Sequence, residues 1–329
     1  MKKTVVLILL TADDKNAVPF RKEIDGRPSL SPFVDLRFAS KDGAHAMIED
    51  ADVIECLNLP VELLAAARSL RWVSFWSAGL DKRITPEMER RNLMITSASG
   101  VHGPNIAEQV IAYMLMFTRK MPLFLRSQDK SEWVHGASLG FEELTGKTLG
   151  IVGFGHIGRT LGSRARAFGM YVVATKRDTS AISNSDDFIP DRLYPATQLP
   201  KMLAASDHIC ISVPYTTQTH HLINEAMLAH LKPSAYLYNV SRGSVVDEQS
   251  LIAALDAGRL RGAGLDVFET EPLARDSPLW KMKNVIITPH VAGFTPYYFE
   301  RVAALFADNL ERYLEGKPLR NLYVPARGY

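Results

Sequence analysis

The run TLGIVGFGHIGRTLGSRARAFGM, residues 148–170, places Gly153, Gly155 and Gly158 in the spacing GxGxxG between an apolar, strand-like stretch and a helix-like one. A glycine triplet alone says little, because glycines recur in turns. Between a strand and a helix, each glycine has a physical role. The first turns the chain tightly, the second lets backbone approach a pyrophosphate, and the third lets the helix pack on the strand. The helix start then offers unpaired N–H groups and the positive end of a dipole to an anion. The motif therefore predicts a strand–helix–strand unit that holds a dinucleotide along Gly153, Phe154, Gly155, His156, Ile157 and Gly158.

The rest of the chain alternates in the same way. TVVLILL, DLRFAS, ADVIECL, RWVSFWSAG and LMITSAS are strand-like, and PVELLAAARSL and TPEMERRN between the last three have helical composition with a proline near the start. After TLGIVGFG come YVVATK, HICISVP, AYLYNV, GAGLDVFE and NVIITPH, with the helix-like NEAMLAHLK and DEQSLIAALDAGRL between the later strands. Gly258 suits the end of the second of these helices. Such alternation predicts an α/β chain of two Rossmann-like, doubly wound parallel-sheet domains with a cleft between them. NIAEQVIAYMLMFTRKM, from Asn105 as N-cap to Met121 with Pro122 beyond it, reads as a boundary helix, and YFERVAALFADNLERYLEG as a helix returning to the first domain. The expected division is residues 1–104 plus 291–329, a discontinuous domain, and residues 105–290.

Length and composition bound the partners. At 329 residues and 47% hydrophobic content the chain can bury the cores of two domains, and 38 basic against 36 acidic side chains leave no global field for nucleic acid or an anionic membrane. Cys56 and Cys210 stand far apart with no second ligand at metal spacing, which predicts a reducing compartment and no metal site. His220 and His221 follow a turn with no acidic residue beside them in sequence. In MKKTVVLILLTADD the apolar run is short for a signal peptide and Asp13 and Asp14 follow it, so it reads as a first buried strand and the protein as cytoplasmic.

The tip of the second strand after the glycine loop bears on which dinucleotide is bound. An NAD site places an Asp or Glu there to accept from the ribose hydroxyls. Here the sequence is VVATKRDTS, and the cations Lys176 and Arg177 would attract a 2′-phosphate. The expected cofactor is NADP. NAD stays possible through Asp178, which lies next in the chain.

Three charged residues then fall at the ends of late strands: Arg242 in YNVSRGSVVDE, Glu271 in GLDVFETEPL and His290 in NVIITPHVAG. Hydride reduction of a carbonyl needs a cation for an anionic substrate, a proton donor for the developing alkoxide, and a carboxylate to orient that donor. Arginine grips a carboxylate with two parallel hydrogen bonds, histidine exchanges protons near neutrality, and glutamate stabilises an imidazolium. Together the three supply one group for each need. Trp76, Trp133, Phe294, Tyr297 and Tyr298 can line an apolar substrate pocket or belong to cores, and His102 reads as a loop residue.

These stretches carry a resemblance. VGFGHIGR, SVPYTTQTHHLI, NVSRGSVVDEQSL, AGLDVFETEPL and PLWKMKNVIITPHVAG, in this order, resemble the D-isomer-specific 2-hydroxyacid dehydrogenase family, and WSAGLDK and NIAEQVIAYML resemble its substrate loop and interdomain helix. The resemblance implies that the discontinuous domain is the substrate domain and the other binds the dinucleotide. It further implies that Arg242 anchors the substrate carboxylate and carbonyl, that His290 is the acid/base paired with Glu271, and that backbone amides at Ala78 and Gly79 meet the carboxylate. Asp266 resembles the aspartate that holds the nicotinamide carboxamide, and Val213 and Pro214 the wall along the cofactor; Thr219, Asn239, Val240, Ser241 and Gly293 complete the expected cofactor set.

The implied activity is hydride transfer between NADP(H) and a small 2-oxo acid or D-2-hydroxy acid such as glyoxylate or hydroxypyruvate. Two alternatives differ from it. One is an NAD-dependent enzyme like phosphoglycerate dehydrogenase, against whose longer members an end at Tyr329 weighs, and the other is a dinucleotide-sensing binding protein of the corepressor kind. The resemblance also implies a homodimer, with the segment around Trp133 reaching the partner.

Overall fold

Runs such as TVVLI, VIEC and WVSF can bury both faces of a strand, as an all-parallel sheet covered by helices requires. The structure, a computed structural model, describes residues 2–80, 83–136, 139–181 and 188–325. Two such sheets form, one in each of two units: Met1–Val101 with Thr295–Tyr329, and His102–Phe294.

In unit 1 the strands are β1 (Thr4–Ile8), β2 (Val34–Phe38), β3 (Val53–Cys56), β4 (Trp72–Phe75) and β5 (Met94–Ser97), all parallel in the order β2-β1-β3-β4-β5. Helices α1 (Val18–Asp25), α2 (Val61–Ala66) and α3 (Pro86–Arg90) connect them; the Thr85 side chain caps α3 and Pro86 opens it. The last helix of the chain, α10 (Tyr298–Leu314), completes this unit. Its buried residues Val302, Ala303, Phe306, Ala307 and Leu310 recur every three or four positions and so form one stripe. Phe306 stacks on Trp72 at 5.3 Å and meets Phe20 of α1 edge-on at 6.0 Å. Arg27 ties the end of α1 to Asp308 and Glu311 at 2.8 and 3.1 Å.

Unit 2 holds β6 (Thr148–Val152), β7 (Tyr171–Lys176), β8 (Arg192–Pro195), β9 (His208–Ile211), β10 (Tyr236–Asn239), β11 (Gly262–Leu265) and β12 (Val285–Ile287). They are parallel in the order β12-β11-β10-β9-β6-β7-β8. The helices are α4 (Gly103–Thr118), α5 (Met121–Asp129), α6 (His156–Ala167), α7 (Leu199–Ala205), α8 (Glu225–Leu228) and α9 (Glu248–Asp256). Asn224 and Asp247 cap α8 and α9, and Gly258 takes the positive φ of +66° that ends α9.

The boundary helix departs from its sequence reading. Asn105 is not its cap: α4 begins at Gly103 after His102, and the Asn105 amide donates to the Ala292 carbonyl at 2.7 Å. Pro122 does not close that helix but opens α5, after Lys120 turns the chain at φ +58°. Strand β8 and helix α7 carry no counterpart in the sequence reading, because DRLYPATQLP breaks its short apolar run with two prolines.

Candidate active site

The sheet of unit 2 winds outward in two directions, from β6 through β7 and β8 and from β9 through β12. Between β6 and β9 the helices leave opposite faces, and the crevice at the strand C-termini is where open α/β sheets bind ligands. The loops after β6, β9, β10, β11 and β12 carry the candidate residues.

The glycine loop has the geometry its spacing predicts. Gly153 sits at φ +95°, and a Cβ there would lie 2.6 Å from the Val213 side chain; one on Gly158 would lie 2.8 Å from the Gly153 carbonyl. A Cβ on Gly155, the residue before α6, would meet nothing within 4 Å, so backbone there stands open to an incoming phosphate. Phe154 turns its ring into the core against Phe188, and its N–H is already given to the Thr175 carbonyl at 3.0 Å. His156 and Ile157 form the first turn of α6. This loop fits a dinucleotide pyrophosphate.

After β9, Val213 is half-buried beneath Gly153 and Pro214 is exposed; the Thr219 hydroxyl donates to the Pro214 carbonyl at 2.7 Å and accepts from the Thr216 N–H at 2.8 Å. At the tip of β7, Lys176 is the last strand residue and Arg177 follows it. The Asp178 carboxylate accepts from both the N–H and the hydroxyl of Ser180, at 3.0 and 2.6 Å.

The loop after β10 is shaped by Asn239. Its side chain donates to the Arg242 carbonyl at 3.0 Å and accepts from the Ser241 N–H and hydroxyl at 3.1 and 3.0 Å. Val240, Ser241 and Asn239 are buried, and the half-buried Arg242 donates from one guanidinium nitrogen to the Ser241 carbonyl at 2.8 Å. Gly243 cannot be any other residue in this backbone, since a Cβ would lie 1.8 Å from the carbonyl carbon of Phe268.

His290 and Glu271 meet. Nδ1 of His290 lies 2.7 Å from Oε2 of Glu271, whose other oxygen accepts the Phe268 N–H at 3.0 Å. A proton shared at Nδ1 leaves Nε2 as the nitrogen for a substrate. His290 stands at φ +55°, a conformation few non-glycine residues adopt, and Asp266 holds it there from both sides. The Asp266 backbone carbonyl takes the His290 N–H at 2.8 Å, and its buried carboxylate takes the N–H groups of Val291 and Ala292 at 2.9 and 3.0 Å and the Thr288 hydroxyl at 2.5 Å. Thr288 also pairs with Tyr113 of α4, whose phenol burial pushes up to about 12.

Several of these contacts escape the sequence. Nothing in the sequence marks Tyr113 and Thr288 as site residues, and His102 is more than a loop residue: its Nδ1 pairs with the Gly293 carbonyl at 3.0 Å, beside the Asn105 tether to Ala292. Glu269 stands 2.6 Å from Nε2 of His221, so that histidine does have an acidic neighbour, which the sequence hid by placing the two 48 residues apart. Among the described residues no group of three or more His, Cys, Asp or Glu side chains could hold a metal ion.

In unit 1, Ala78 is exposed and Gly79 half-buried just after β4, with the Ser77 hydroxyl donating to the Gly79 carbonyl at 2.8 Å. Asp81 and Lys82 of the same motif lie outside the described residues. Trp76 belongs to the core, edge-on to Phe299 at 5.8 Å, whereas Trp133 of unit 2 is 88% exposed.

The profile of the D-isomer specific 2-hydroxyacid dehydrogenase NAD binding domain matches residues 111–292. A glyoxylate reductase of Thermofilum pendens is 36% identical over 277 residues, covering 82% of this chain and 80% of its own. A glyoxylate/hydroxypyruvate reductase B of Pectobacterium carotovorum is 33% identical over 333 residues and 99% of both chains. Among solved structures, a D-isomer specific 2-hydroxyacid dehydrogenase from Xanthobacter autotrophicus, in complex with NADPH and MES, superimposes with a TM-score of 0.81 at 28% identity over the full length of both chains. The glycine loop, the arginine after β10 and the histidine–glutamate pair thus lie in a sequence with full-length relatives of one kind, and the chain belongs to the D-isomer-specific 2-hydroxyacid dehydrogenase family.

Proposed function

We propose that the protein is an NADPH-dependent reductase of small 2-oxo acids, producing D-2-hydroxy acids. The observation that carries this reading is the His290–Glu271 pair, held at 2.7 Å at the same strand ends as Arg242 and the glycine loop. When bound, the nicotinamide cofactor supplies the hydride. Arg242 binds the substrate carboxylate, and its charge polarises the carbonyl. His290 gives the proton at Nε2 to the carbonyl oxygen as the alkoxide develops, and Glu271 stabilises the imidazolium that does so. Asp266 keeps the histidine loop in place and retains Oδ2, which has one N–H partner, for a carboxamide.

Two features favour NADP over NAD. Lys176 and Arg177 put two cations at the strand tip where a ribose-binding carboxylate otherwise stands, and Asp178 turns one carboxylate oxygen onto the N–H and hydroxyl of Ser180. The Xanthobacter relative was solved with NADPH. We read the protein as cytoplasmic and as a homodimer, with the exposed Trp133 segment at the partner; sedimentation as a monomer would refute the dimer. No helix among the described residues is long and apolar enough to cross a membrane.

The test is steady-state oxidation of NADPH and of NADH with glyoxylate and hydroxypyruvate. Turnover with NADPH supports the whole reading, and turnover with NADH alone keeps the reductase and removes the role of Lys176 and Arg177. Binding of dinucleotide without turnover on any 2-oxo acid would favour a sensor.

A further inference from the structure

Strand β3 is the middle strand of the unit 1 sheet, and its sequence, VIEC, puts an acid among apolar neighbours. Glu55 is fully buried, and neither carboxyl oxygen has a hydrogen-bond partner among the described residues. The register places it beside Ile8 on β1 and Ser74 on β4, and α10 closes over this face of the sheet. A cavity of about 10 Å³ lies between them, lined by the polar residues Glu55, Ser74, Ser97 and Asn309 and by apolar side chains that include Phe306 of α10.

A buried carboxyl with no partner is among the costliest groups a core can hold, so something must satisfy it. The cavity is of the size that admits one water molecule, which needs roughly 10–15 Å³ and two to four polar partners. Those partners are present. Glu55 offers two oxygens and Ser74 a hydroxyl. The Asn309 amide uses its oxygen and one N–H on the backbone of Arg320, at 2.7 and 3.0 Å, and keeps a second N–H.

We propose that this cavity is a built site for a single internal water molecule, bridging the Glu55 carboxyl to Ser74 and Asn309 beneath α10. The water completes hydrogen bonds that the chain itself leaves open. A bound cation in its place would need roughly six or more oxygen ligands, more than Glu55, Ser74, Ser97 and Asn309 can set around so small a space. The carboxyl is therefore held as the neutral acid, which both donates to and accepts from water. Burial pushes its proton affinity well up, against a weaker opposite pull from Ser74. Two titratable groups that feel Glu55, the Cys56 thiol next along the strand and the Tyr298 phenol of α10, are themselves raised by burial and stay uncharged at neutral pH; Arg83 acts on both more weakly, and Lys41 on Cys56.

The test is a crystal structure of the full chain near neutral pH, with Glu55→Gln and Glu55→Leu alongside. The expected result is one density peak within about 2.6–3.2 Å of both Glu55 and Ser74, kept in Glu55→Gln and lost in Glu55→Leu. A dry cavity, a carboxyl turned onto a protein partner, or a peak ringed by the shorter contacts of a cation would each overturn the proposal. Should Glu55→Leu fail to fold, infrared difference spectra of wild type against Glu55→Gln decide the matter. A neutral-acid carbonyl band lost in Glu55→Gln is expected, and a carboxylate band in its place overturns the assignment.

Discussion

Glu271 grips His290 with one carboxylate oxygen at 2.7 Å and the Phe268 N–H with the other at 3.0 Å, so the carboxylate is fixed in place by its own backbone before it fixes the imidazole. Replacing the histidine removes the proton donor outright. His290→Ala should lower kcat for 2-oxo acid reduction by on the order of 10²- to 10⁴-fold. Glu271→Gln keeps a neutral hydrogen bond and loses the charge, worth about 1.5–3 kcal/mol for a charged partner, so its kcat should fall roughly 10- to 100-fold. Equal activity in the two variants and the wild type, by steady-state kinetics, would remove the pair from the mechanism.

The Thr288 hydroxyl reaches Asp266 from the residue two before His290, and Tyr113 completes the chain from α4. Thr288→Val leaves Asp266 Oδ1 with one donor instead of two. The expected outcome is a fall in kcat on the order of tenfold with a smaller change in substrate KM, and recovery in Thr288→Ser. An unchanged kcat would mean that the backbone amides of Val291 and Ala292 hold the loop alone.

Lys176 and Arg177 make the cofactor preference testable by charge removal. Replacing both with serine should raise KM for NADPH by about tenfold for each charge-assisted hydrogen bond removed and leave KM for NADH nearly unchanged. A parallel rise for both cofactors would point to a general loss of the strand tip.

His208, at the start of β9, is buried with Nδ1 at 2.9 Å from the Tyr238 hydroxyl, and burial pushes it down to about 4 from its ordinary 6.5. The unfolded chain takes up a proton near 6.5 while the folded one stays neutral to about 4. Its contribution to stability is therefore complete above 6.5 and is lost as pH falls towards 4, by up to roughly 3 kcal/mol. Urea unfolding of unit 2 should show this slope in the wild type, and a flatter one in His208→Gln.

The glycine turn between β6 and α6, and the placing of Arg242, Glu271 and His290 past strand ends, were legible because that geometry is local or follows from the fold class. A strand, a glycine turn and a helix are contiguous, and a residue just past a parallel strand must stand at the ligand-binding edge. The supporting contacts were not, because they join residues distant in sequence whose pairing depends on packing. Asn105 looks like a cap and is a tether to Ala292, and His221 looks isolated and meets Glu269. Glu55 reads as one polar residue in an apolar strand, and only α10, some 250 residues later, decides that the side chain is sealed in.

The return of α10 to unit 1 also sets an order of events at the ribosome. Residues 2–80 and 83–101 emerge with the strands of the first sheet but without the helix that stacks Phe306 on Trp72 and covers Val6 and Ile8. That face has only α1, with Phe20 and Ile24, to cover it until residues 102–294 have been made, and those form a unit continuous in sequence. The nascent chain thus carries a half-covered apolar sheet face through most of its synthesis, and a truncation before Tyr298 would leave it so for good.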